Sequence, residues 1–238
     1  RNGVPERRPA VIRRAILGVA LALGLGAQAA QAGPLTVVEL FTSQGCSSCP
    51  PANANLATLA QRPDVLALSF GVTYWDDLGW KDTFASKAYT ARQWDYAHGL
   101  RHSQVWTPQV VINGRVDVVG TTLAEIDRAA RKAQPLAGPA VSLTPDAVAI
   151  GAGARPARPA QVWLVRYDPN IVQVPIKRGE NSGKTLPHRN VVRELTRLGA
   201  FDGHAVSLRL PPSRDPRLRT AVLVQAGPGG PILSAAKG

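Results

Sequence analysis

Only two cysteines occur in the 238 residues, there is no methionine, and 16 acidic side chains face 28 basic ones. With no further Cys, a zinc finger cannot be completed: His98 and His102 lie at helical ligand spacing but 49 residues beyond Cys49. Long apolar runs are missing too. The run Ala15–Gly26 spans about 12 residues, where a helix needs roughly 20 to cross a bilayer, so no stable membrane span is expected. The missing Met at position 1 is expected of a chain whose start lies upstream or was replaced. Internal repeats and low-complexity segments are also lacking, and a hydrophobic fraction of 45% excludes general disorder.

Residues 1–32 read as a secretory signal peptide: Arg7, Arg8, Arg13 and Arg14, then the short apolar run, then Ala-Gln-Ala at 30–32. Cleavage is expected after Ala32, giving a periplasmic or secreted protein. Five Arg and Glu6 fall in that segment, leaving 23 basic against 15 acidic residues, a charge of +8 rather than +12. The remaining basic residues are scattered without a recognition motif, so a solvated surface is expected and no nucleic-acid partner.

Leu35–Phe41 has the β-branched apolar content of a strand, 49–61 that of a helix, and 64–70 that of a second strand, a unit expected to be parallel. Aromatics concentrate in 74–107, with helical periodicity over 82–98. Gln109–Ile112, Asn113-Gly114 and Arg115–Val119 form a hairpin pattern, and 122–133 is amphipathic. After the joint at 134–139, short alternating segments at 140–150, 160–167, 171–177, 204–210 and 220–226 suggest strands, with a short helix at 189–198. The expected fold is therefore α/β: an α/β domain over 33–137, followed by a smaller, mainly β, sandwich-like domain over 138–238.

Chemistry concentrates in Gly45-Cys46-Ser47-Ser48-Cys49-Pro50, at a strand-to-helix junction. Two intervening residues on a first helical turn bring the sulfurs within disulfide reach, and the helix N-terminus favours a thiolate on the first Cys. That thiolate attacks a disulfide and the second Cys resolves the mixed disulfide. A static disulfide is the competing reading, although closing so small a ring removes little chain entropy. A Cu(I) site using both Cys and one His is another, and a non-catalytic binding module a third. Trp75, Trp80 and Trp106 either wall a groove over Cys46 or fill a core. His188 faces either the site or the surface. Gly179–Leu186 suits a turn and lacks the spacing of a phosphate-binding loop.

Trp106-Thr107-Pro108 and the residues after it resemble the thioredoxin-superfamily element in which a cis-proline opens a strand facing the Cys pair. Taken with the element order over 35–133, that resemblance implies a thioredoxin-like first domain. It casts Thr107 and Pro108 as holders of the substrate backbone and Glu39 as a buried carboxylate exchanging a proton with Cys49; an edge position facing solvent is the alternative for Glu39. The chain departs from thioredoxin itself, whose pair is Trp-Cys-Gly-Pro-Cys. The strings 37–51, Tyr74–Trp80 and Gly179–Leu186 resemble domain of unknown function 1223, a family of exported proteins assigned to that superfamily. This resemblance implies a fold and an address more than a reaction.

Together these readings predict a thiol–disulfide oxidoreductase with Cys46, Cys49 and Glu39 catalytic and Thr107, Pro108, Trp75 and Trp106 binding substrate. The partner is a protein or small-molecule thiol or disulfide. No cofactor and no resident metal are expected.

Overall fold

In the computed structural model, residues 2–3 and 35–238 are described. The expected signal peptide lies, apart from Asn2 and Gly3, outside them. The chain opens with β1 (Thr36–Thr42), α1 (Pro50–Leu59) and β2 (Val65–Gly71). β1 and β2 are parallel, Thr36 opposite Val65 through Thr42 opposite Gly71. Both strands are largely apolar, β1 rich in β-branched residues and β2 in Leu and Ala, because both faces are covered. α2 (Lys87–Gly99) starts at Ser86, whose hydroxyl accepts the Ala88 N–H. β3 (Gln109–Ile112) and β4 (Val116–Val118) form the expected hairpin. Its turn residues Asn113 and Gly114 have φ of 51° and 63°, which glycine and asparagine adopt at low cost. α3 (Leu123–Lys132) is capped by Thr122.

The remaining regular elements are all strands: β5 (Val141–Leu143), β6 (Ala147–Ile150), β7 (Ala160–Asp168), β8 (Val172–Pro175), β9 (Thr185–His188), β10 (Val191–Phe201), β11 (Val206–Arg209), β12 (Arg219–Gln225) and β13 (Ile232–Lys237). The main sheet is mixed and eight-stranded, in the order β13-β12-β7-β10-β2-β1-β3-β4. β11-β6-β5 and β8-β9 form small sheets of their own.

This corrects the expected architecture. The protein is mostly β, and it does not consist of an α/β thioredoxin-like domain followed by a separate smaller β domain. β7, β10, β12 and β13 extend the same sheet that holds β1 and β2, and residues 35–238 belong to one compact unit. The seam is β10 against β2, where Ser69 N–H donates to Asn190 O (2.9 Å) and Asn190 Nδ2 donates to Ala67 O (2.7 Å). Strand pairing across more than 100 residues leaves no local trace in sequence. The helix expected over 189–198 is also strand. Val191, Val192, Leu195 and Leu198 recur at three- and four-residue spacing, which imitates a helix. β10 has that spacing because bulges between Val192 and Glu194 and between Arg197 and Gly199 insert extra residues into the strand.

Two core layers sandwich the β1–β2 region. Val38 and Leu40 point to one face, with Leu56 and Leu59 of α1 and Ile126 of α3. Val37 and Phe41 point to the other, with Tyr89 and Tyr96 of α2. A third cluster fills the space between the three-stranded sheet and β7, β10 and β12. Among the described residues no helix is long and apolar enough to cross a membrane.

Candidate functional site

Cys46 follows the turn that ends β1, and Cys49 is the N-cap of α1. Cys49 N–H donates to Cys46 O (3.3 Å) and Asn53 N–H donates to Cys49 O (3.1 Å), so the segment winds directly into the helix. The two sulfurs are disulfide-bonded, with Cα atoms 5.5 Å apart. Pro50 and Pro51 open the helix with the φ it needs but remove two N–H donors from its first turn. Both Cys are fully buried, whereas Ser47 and Ser48 are exposed.

Three further segments close around this turn. The first is Thr107-Pro108, a cis peptide, whose Thr107 carbonyl lies 3.7 Å from Cys46 Sγ and 3.5 Å from Ser48 Oγ. The Ser48 hydroxyl also stands 3.2 Å from Cys46 Sγ. The second is 75–84. Trp75 Nε1 donates to Thr107 Oγ1 (2.8 Å) while its Cβ packs beside Gly45. Trp80 Nε1 donates to Gln44 Oε1 (2.9 Å), and Gln44 N–H donates to Asp82 Oδ2 (2.7 Å). Burial pushes the Asp82 carboxyl up to about 6, against the N–H donors of Gln44 and Phe84 that favour its ionised form.

The third segment comes from the other half of the chain. Asn181, fully buried, donates through Nδ2 to both Gln44 O (3.0 Å) and Cys46 O (2.9 Å). Glu180 Oε2 accepts the Ser47 N–H at 3.0 Å. Hydrogen bonding from the side chain and backbone of Ser47 holds this carboxyl below its ordinary value. Gly179, at φ of 76°, passes against Gly79 and Trp80, an approach that glycine permits.

Of the expected residues, the fold gathers Cys46, Cys49, Thr107, Pro108 and Trp75. Trp106 instead packs edge-to-face on His102, 5.0 Å between ring centres. Glu39 lies elsewhere: it points with Val37 and Phe41 to the α2 face of the sheet, away from α1. Its carboxylate accepts Arg92 Nε (2.7 Å) and Nη2 (3.1 Å) and the Tyr96 hydroxyl, while Arg92 Nη1 donates to Gln225 Oε1 (3.0 Å). It is a buried cross-brace between β1, α2 and β12 rather than a partner of Cys49. His188 is buried against Phe84 and not on the surface. Reading the sequence missed Gln44, Asp82, Glu180 and Asn181 as site residues. The signal available was the set of strings at 37–51, 74–80 and 179–186, which are the segments that meet here. Among the described residues no three of His, Cys, Asp and Glu cluster as a metal site.

Fold and site thus define a mostly β protein with a buried Cys-Ser-Ser-Cys disulfide at the mouth of a helix. The chain belongs to the family described as Protein of unknown function (DUF1223), which matches residues 37–225. Protein AGR_C_4864 from Agrobacterium tumefaciens, known from its crystal structure, is 35% identical over 85% of this chain and 92% of that one, with a TM-score of 0.70. HBP35 of Porphyromonas gingivalis shares the fold at 16% identity and a TM-score of 0.58, over 86% of this chain and 74% of that one. No curated protein matches.

Proposed function

We propose that this protein is an exported thiol–disulfide oxidoreductase that exchanges disulfides with a protein or small-molecule partner outside the cytoplasm. The observation that carries this reading is the Cys46–Cys49 bond across one turn at the N-terminus of α1, braced by polar contacts from Thr107, Glu180 and Asn181. Such a pair closes a ring too small to restrain the unfolded chain much, so its value as a staple is low. Its position favours a thiolate at Cys46 once reduced.

In the reduced protein the Cys46 thiolate attacks one sulfur of a substrate disulfide. A mixed disulfide forms and one substrate thiolate leaves. The Cys49 thiolate then attacks Cys46 Sγ, which re-forms the internal bond and releases the second substrate thiolate. The substrate gains two electrons and the protein loses two; the reverse sequence oxidises a substrate dithiol. The Thr107 carbonyl borders the attacking sulfur, and Trp75 holds the Thr107 hydroxyl. Since both sulfurs are covered, a substrate must first displace part of the cover. The Ser47–Glu180 bond, exposed to solvent, is the contact that yields at least cost.

The test is trapping. Reduced Cys49→Ser protein incubated with glutathione disulfide should accumulate a mixed disulfide at Cys46, and Cys46→Ser protein should accumulate far less at Cys49. Equal trapping at both sites, or at neither, contradicts the reading.

A further inference from the structure

At the far end of α1 from the Cys pair the sheet has a gap. β10 joins β2 only where Val191 meets Ser69, so Val65–Ala67, paired with β1 on one side, extend beyond the start of β10 with no strand on the other. The end of β7, the start of β12 and the end of β13 close the gap into a cavity of about 260 Å³. Three cationic side chains line it, Arg189, Arg219 and Lys237, together with Tyr167, Asn170 and Asn190. No carboxylate does.

Arg189 is half-buried, Arg219 and Lys237 are exposed at the cavity's mouth, and none of the three has a carboxylate within ion-pair distance among the described residues. Arg189 Nε is shut off from solvent with no hydrogen-bond partner, an unmet donor that ordinarily costs stability. Lys237 Nζ spends one proton on Val65 O at 2.7 Å and keeps two. Burial lowers its pKa, Arg219 lowers it further, and the attraction of Asp64 works against both. The adjacent Asp168 is already engaged, accepting Asn170 N–H and Nδ2. Ala60, the C-cap of α1, also lines the cavity. The helix contributes about half a negative charge there, enough to offset part of one cation but not three.

We propose that this cavity is a binding site for a phosphate group. Two guanidiniums and an ammonium around one small volume supply the fork geometry and charge that a tetrahedral oxyanion takes. A water occupies roughly 30 Å³, so the space exceeds what bare phosphate fills and leaves room for a small ester substituent. The site stands apart from the Cys pair by the length of α1, about 15 Å for ten residues, and does not rest on the redox reading.

Isothermal titration of the full-length protein, with inorganic phosphate in one arm and glycerol phosphate in the other at constant ionic strength, tests this. The expected result is saturable binding of one phosphate group per chain, the two ligands competing. Arg189→Gln and Arg219→Gln should each weaken it by roughly tenfold or more, the loss of one charge-assisted hydrogen bond. Arg62→Gln, a change outside the cavity, should leave it intact. Tighter binding of glycerol phosphate assigns the site to esters, and equal binding assigns it to free phosphate. Non-saturable heats, or unchanged affinity in an Arg189→Gln, Arg219→Gln double variant that keeps its circular dichroism spectrum, would overturn the proposal.

Discussion

Asn181 Nδ2 lies 2.9 Å from the carbonyl oxygen of Cys46, linking the first cysteine of the pair to a loop 135 residues later in the chain. The same amide group holds Gln44 O, so two buried carbonyls on either side of Gly45 depend on one side chain. Asn181→Ala removes this donor from Gln44 O and leaves Cys46 O with only the Cys49 N–H, and should cost about 1–3 kcal/mol. It should also speed opening of the disulfide by dithiothreitol, because the cover over the pair is loosened. Urea unfolding and reduction kinetics on the same variant measure the two effects.

Glu180 places a negative charge on the Ser47 N–H, beside the sulfur that the proposed reaction takes through a thiolate. Like charge disfavours ionisation, so Glu180→Gln should lower the pKa of Cys46 in the reduced protein. The pH dependence of iodoacetamide alkylation reads this directly. The difference should shrink as salt is added, since Glu180 is exposed.

Much of the N-terminal half was legible because its signals are local. β1, α1 and β2 follow from short apolar runs broken by the Cys-Pro turn, and the β3–β4 hairpin from Asn113-Gly114. The sheet that contains them was not legible, because the pairing of Ser69 with Val191 joins segments over 100 residues apart, and the bulges of β10 disguise a strand as a helix. At the site, the Cys pair and Thr107 were readable from residue type and order. Asn181 was not, since its role depends on a loop crossing that only the fold supplies.

Glu39 illustrates the same limit. Strand position alone leaves its face undetermined, and the fold turns it toward Arg92 and Tyr96. Glu39→Gln strands a buried guanidinium and should destabilise the protein by about 3–5 kcal/mol. The alkylation profile of Cys46 should not move. A shift in that profile would restore a proton-exchanging role to Glu39.

His188 is buried beside Phe84, and burial pushes its imidazole down to about 4 from an ordinary 6.5. The unfolded chain therefore takes up this proton first, and stability held above about pH 6.5 is lost as pH falls toward about 4, by about 3 kcal/mol at full extent. Asp82, raised to about 6, acts in the opposite sense: its contribution weakens as pH rises from about 4 to 6. Comparing wild type with His188→Gln cancels the Asp82 share. The urea midpoint of wild type should fall more steeply between about pH 7 and pH 4.5 than that of the variant.

The most direct test of the central claim is the redox equilibrium of Cys46 and Cys49 in a glutathione series, read by thiol labelling of folded protein. The account predicts one reversible two-electron transition, with Cys46 the first thiol to be alkylated at mildly acid pH. A bond that stays closed under strong reductant while the protein remains folded would make the pair structural and contradict it.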